Sequence, residues 1–100
     1  MPQLETFRPR GGNTYTIGAG AASTVYTIPA GAREVVVTAS LDFGRVLVNS
    51  SATQVTPDAT NMGYLPAGSP MTVLIMQGRD TYLHLSSTVA SNVFTVTWGN

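Results

Sequence analysis

The phrase Pro-Ala-Gly occurs twice, as Ile28-Pro29-Ala30-Gly31 and Leu65-Pro66-Ala67-Gly68, and each copy is followed closely by an apolar run. The first leads into Arg33-Glu34-Val35-Val36-Val37-Thr38, the second into Pro70-Met71-Thr72-Val73-Leu74-Ile75-Met76. Proline at the second position of a turn sets φ near −65°, and a following glycine can take the left-handed conformation that lets the chain reverse. Each copy therefore reads as strand, tight turn, strand. Nothing in the chain shows helical period over ten or more residues. Residues 57–61 have room for one helical turn at most.

Strand candidates follow at short intervals, approximately 14–17, 24–28, 34–40, 45–49, 61–65, 71–76, 81–86 and 93–98, with turn clusters between them. This spacing predicts an all-β chain: a single antiparallel β-sandwich of about eight strands, either jelly-roll or Ig-like. One hundred residues make one domain. Residues 1–13 lack apolar periodicity and include Arg8-Pro9-Arg10-Gly11-Gly12. They read as a flexible, extended N-terminal arm ahead of a sandwich domain over 14–100.

Successive strand side chains point to opposite faces. Val35, Val37 and Ala39 share one face, as do Phe94, Val96 and Trp98, and Leu83 and Leu85. These are the expected core. The sixth strand departs from the pattern, because Met71, Val73 and Ile75 fill one face while Leu74 and Met76 make the other apolar as well. A strand apolar on both faces is buried twice or lies at an interface. Val36, Leu47, Leu74 and Met76 are accordingly interface candidates. Arg8 and Arg10 join them as groups able to reach a carboxylate on a neighbouring subunit.

Charge supports contact with partners. Charged residues are 10% of the chain, and all five basic residues are arginine, whereas an average soluble domain is about 25% charged. A surface so poor in charge suits a subunit whose exterior is largely covered. Zero net charge offers no basic patch for nucleic acid or anionic lipid, and no apolar run nears the ~20 residues of a membrane-spanning helix. The N-terminus lacks the apolar stretch of a secretory signal, pointing to a chain made without export or one whose signal has been removed.

Chemistry-bearing groups are sparse. With no cysteine, thiolate metal sites, thiol nucleophiles and disulfides are excluded. One histidine and five scattered carboxylates form no ligand cluster, so no metal or other cofactor is expected. His84 and Asp80 would share a face of an extended strand about 13 Å apart, beyond hydrogen-bond reach. His84 therefore reads as a strand histidine on a solvent or interface face, and the chain as no enzyme, with no small-molecule substrate. Gly18-Ala19-Gly20-Ala21 precedes no helix and is not a phosphate loop. Asn49-Ser50-Ser51 matches the glycosylation pattern but has no export signal to go with it. Exposed aromatic rings can stack on sugars, and Tyr64 and Tyr82 are the two candidates for such surface contacts.

Three phrases carry a resemblance: Thr27-Ile28-Pro29-Ala30-Gly31 before a valine strand, Gly44-Arg45-Val46-Leu47-Val48, and Ala59-Thr60-Asn61-Met62-Gly63-Tyr64-Leu65-Pro66-Ala67-Gly68. Over about three quarters of its length the chain resembles small virion structural proteins of tailed bacteriophages, the head decoration (cement) proteins and related accessory proteins. The resemblance implies a non-enzymatic sandwich, often trimeric, that binds the major capsid protein on the outer head surface and clamps neighbouring capsomers. It implies a virion location after assembly in the bacterial cytoplasm. A tail or baseplate accessory module and a carbohydrate-binding module are the alternatives.

Overall fold

The alternation of buried and open positions in the valine strand sets the architecture. The computed structural model of the protein describes residues 7–18, 23–55, 62–76, 79–89 and 91–100. In it Val35, Val37 and Ala39 are buried and Glu34, Val36 and Thr38 half-exposed, the period of a strand with one face on a core. Eight strands form: β1 (Pro9–Ile17), β2 (Thr24–Thr27), β3 (Glu34–Ala39), β4 (Gly44–Asn49), β5 (Gly63–Leu65), β6 (Met71–Leu74), β7 (Tyr82–Ser87) and β8 (Asn92–Gly99).

They make two four-stranded sheets, ordered β1-β8-β3-β6 and β2-β7-β4-β5, with every pairing antiparallel. The first partner of each strand follows one rule: β1 with β8, β2 with β7, β3 with β6, β4 with β5. The chain is thus a long double ribbon folded at β4–β5 and wrapped, so that β8 meets β3 and β7 meets β4. This is the order of a jelly roll, which decides between the two sandwich topologies that the strand spacing left open.

The doubled Pro-Ala-Gly phrase has a different role from the one its residues suggest. Gly31 and Gly68 do take positive φ, 88° and 73°. In the first copy, however, the Ala32 N–H donates to the Pro29 carbonyl (3.1 Å), which makes Pro29 the first turn residue rather than the second. Nor does either copy join two paired strands. One connects β2 to β3 and the other β5 to β6, and in both the chain leaves one sheet for the other. The reversals are corners of the sandwich. The second corner is tied to the first sheet through the Gly68 N–H, which donates to the Ala39 carbonyl (2.7 Å).

Between the sheets lies a core of Ile17, Tyr26, Ile28, Ala32, Val35, Val37, Ala39, Val46, Leu65, Leu83, Leu85, Phe94 and Val96. Trp98 packs against it half-buried. At the N-terminus β1 begins at Pro9 and pairs with β8 through Ile17, with a bulge between Pro9 and Gly11. Residues 9–13 of the expected arm are therefore an edge strand, because the long β8 offers backbone partners as far as Gly99. Arg8 and Asn100 exchange backbone hydrogen bonds (3.1 and 3.2 Å) beyond that. Residues 1–6 of the arm, and the expected helical turn over 57–61, lie outside the described residues.

Candidate functional site

Strand parity and register place the strand-borne candidates Val36, Leu47, Tyr64, Leu74 and Tyr82 on two opposite surfaces. The outer face of the first sheet carries Glu34, Val36 and Thr38 from β3. Cross-strand from Val36 stand Thr72 on β6 and Thr97 on β8, while Glu34 faces Leu74 and Thr38 faces Thr95. β6 is an edge strand, and Leu74 is 73% exposed there. Met76, past the end of β6, is 57% exposed. The two apolar faces expected of this segment are present. Met71, Val73 and Ile75 are half-buried toward the core side, and Leu74 and Met76 are left open.

Leu47, Tyr64 and Tyr82 lie on the outer face of the second sheet. Leu47 and Val36 are thus on opposite sides of the sandwich and cannot contribute to one continuous patch, because the two sheets face each other across the core. Arg8 and Arg10 stand at the β1–β8 end, where Arg10 Nε donates to Asn100 Oδ1 (3.0 Å). The six interface candidates divide among these separate regions.

His84 corrects the sequence reading most sharply. It sits on the outward side of β7, as parity requires, yet is 0% exposed. The connection after β4 folds back over this part of the sheet and buries it. His84 Nε2 lies 2.9 Å from both Asn49 Oδ1 and the Ser51 carbonyl. Two acceptors on one nitrogen require that it carry the proton. In the neutral ring Nδ1 is then the acceptor for the Ser23 hydroxyl at 3.0 Å. Ser23 in turn exchanges backbone and side-chain bonds with the same connection. The Val55 N–H donates to Ser23 Oγ, the Ser23 N–H to the Val55 carbonyl, and Gln54 Nε2 to the Ser23 carbonyl, each at 2.9 Å. Serine, imidazole and amide are aligned, but Ser23 is fully buried and its oxygen is occupied by a backbone donor. The constellation is a clamp that fastens residues 50–55 onto β7 and the start of β2. Asp80 is not part of it, since its Oδ2 accepts from the Met76 N–H (2.9 Å).

A second cluster had no counterpart in the sequence reading beyond Tyr64. Arg45 and Tyr64 are direct cross-strand partners on β4 and β5, and Phe43 precedes Arg45 by two residues. The Phe43 and Tyr64 rings stack with centroids 5.2 Å apart and planes inclined by 22°. The Arg45 guanidinium carbon is 5.4 Å from the Phe43 centroid and 5.3 Å from that of Tyr64. Nearly equidistant from both, the cation lies against the two rings of the stack. Tyr64 is 52% exposed.

Buried Asn92 holds this cluster in place. Its Oδ1 accepts from the Leu41 and Asp42 N–H groups (3.1 and 3.4 Å), and its Nδ2 donates to the Asp42 and Phe43 carbonyls and to Ser87 Oγ (2.9, 3.3 and 3.2 Å). One amide thus satisfies the β3–β4 turn that presents Phe43. The i, i+2 spacing of Phe43 and Arg45 was the only local signal for the cluster. Its third member comes from a strand whose register the sequence does not reveal. Tyr82 is on the same sheet face but pairs with Asn49 at the other end of β4, so the two tyrosines do not form one platform.

At that other end a cavity of about 230 Å³ opens between the first Pro-Ala-Gly corner, Ile75, Asp80 and Thr81. Among the described residues no three His, Asp or Glu side chains converge. Against protein-family models, characterised proteins and solved structures, the chain has no match.

Proposed function

We propose that the chain is a structural subunit that coats a protein shell, a virion decoration protein that binds the major capsid protein as an oligomer, with a trimer expected, and stabilises contacts between capsomers. The observation that carries this reading is the outer face of the first sheet. Val36 and Leu74 stand on it among threonines, and Glu34 is the one charged residue on β3, β6 and β8. A sheet face depleted of charge, with an exposed leucine at its edge, has the composition of an interface core. The jelly-roll order adds support by analogy only, since this architecture recurs in viral capsid and lectin domains and a fold by itself does not assign a function.

The test is co-sedimentation with shells of the encoding virus assembled without this chain. Wild type is expected to bind, and to sediment as a trimer alone at micromolar concentration. Leu74→Gln should lower shell occupancy at least tenfold, because it buries an unpaired amide at the seam, while leaving the melting temperature unchanged. A wild-type chain that is monomeric and ignores the shells overturns the proposal.

A glycan-binding module is the second reading, favoured by the exposed, stacked ring of Tyr64. Binding on a glycan array that is lost with Tyr64→Ala supports it.

A further inference from the structure

Among the described residues the Arg45 side chain has no acidic partner, and the interactions it makes there are with the Phe43 and Tyr64 rings. Asp42, the acid nearest in sequence, uses Oδ1 to accept from the Phe43 N–H (2.7 Å). A guanidinium lying against two π-systems keeps its five donors in one plane, with the fork free for a carboxylate. We propose that Phe43, Arg45 and Tyr64 form an anchoring pad for an acidic side chain, a glutamate or aspartate, on the surface of a partner protein.

The chemistry around the pad favours an acidic side chain over a sugar. On the outer face Arg45 has Leu47 along its own strand, Tyr64 on one side and Ser86 on the other. Ser86 is fully buried, and its hydroxyl donates to Met62 Sδ (3.4 Å). Apart from the guanidinium and the Tyr64 hydroxyl, these neighbours offer no free side-chain hydrogen-bonding group. A saccharide would leave several of its hydroxyls without partners, an expensive outcome on binding. A glutamate needs only the fork for its carboxylate and a ring face for its aliphatic stem. The pad is also preorganised. The Asn92 hydrogen bonds hold the turn beneath Phe43, so little conformational freedom is lost when the partner arrives. Tyrosine and arginine are the residue types that dominate binding energy at protein interfaces. Leu41 in the same turn is 63% exposed.

This inference rests on the reading of the chain as a protein-binding subunit, and its test uses no shell, so the two can fail separately. The probe is a pair of blocked pentapeptides, acetyl-Gly-Phe-Glu-Leu-Gly-amide and its Gln analogue, with free glucuronate in a third arm. Each is titrated into the isotope-labelled full chain and followed by NMR. The Glu peptide is expected to shift the Arg45 Nε–H and the amides of Phe43, Arg45 and Tyr64, with affinity at least tenfold above that of the Gln peptide. Arg45→Gln should remove the difference while the spectrum stays dispersed. Equal affinities for the two peptides overturn the pad, as do equal shifts at the other arginines or tighter binding of glucuronate than of the Glu peptide.

Discussion

Replacing His84 with leucine should unfasten the connection between β4 and β5. The imidazole makes three hydrogen bonds: it accepts from the Ser23 hydroxyl, and its Nε2–H is shared between Asn49 Oδ1 and the Ser51 carbonyl. Leucine fills a similar volume and can make none of them. The largest cost falls on Ser23, which is fully buried, so its stranded O–H costs about 1–3 kcal/mol. Asn49 and Ser51 are nearer solvent, and water can replace part of what they lose, leaving roughly 0.5–1 kcal/mol between them. A net loss near 3 kcal/mol corresponds to a fall in Tm of roughly 12–24 °C for a domain of this size.

The assay pairs urea denaturation with amide hydrogen exchange, since the connection can detach while the sheets persist. The Val55 N–H is the reporter, because it donates to Ser23 Oγ (2.9 Å). Its protection should collapse in His84→Leu even under conditions where the β3 and β8 amides remain protected. Ser23→Ala should produce the same local loss. The double variant should cost less than the sum of the singles, with a coupling of about 1 kcal/mol or more. A His84→Leu protein that loses under about 1 kcal/mol and retains Val55 protection refutes the clamp.

Two further outcomes follow from the core. A Cβ added at Gly44 would run into the Phe94 ring, which is fully buried between the sheets. Gly44→Ala should therefore destabilise by about 1–3 kcal/mol through overpacking, and an unchanged thermal melt would count against that packing. The Tyr26 phenol is raised above its ordinary 10.0 by burial and, secondarily, by the charge of Tyr15, whose ring meets it edge-on at 6.4 Å. A raised acid binds its proton more tightly when folded. Its contribution is complete below pH 10 and is lost as pH rises through the folded value. Urea midpoints should thus hold to about pH 10 and decline above it, and Tyr26→Phe should flatten that decline. An identical decline in the variant would remove Tyr26 as its source.

Eight strands, their order along the chain and the inward faces of β3, β7 and β8 were legible in the sequence, because strand parity is local: each apolar side chain two residues from the next reports one face. Turn glycines were legible for the same reason, since φ belongs to the residue itself. The role of the Pro-Ala-Gly corners was not, because whether a reversal stays within a sheet or crosses to the other depends on which distant strand supplies the hydrogen bonds.

The same distinction runs through the candidate sites. Leu74 and Met76 declared themselves by breaking the alternation of their own segment, and the structure leaves both open. His84 gave no such sign. Its partners Ser23 and Asn49 lie 61 and 35 residues away, and only the fold-back of the β4–β5 connection turned an outward-pointing histidine into a buried one. Phe43 and Arg45 became a cluster only when register set Tyr64 opposite Arg45. Composition and parity by themselves determined a charge-poor, all-β sandwich. The wrapping of one double ribbon into two sheets decided which faces are covered, which loops are fastened and where Arg45 meets two rings, because burial and pairing come from contacts between segments far apart in the chain.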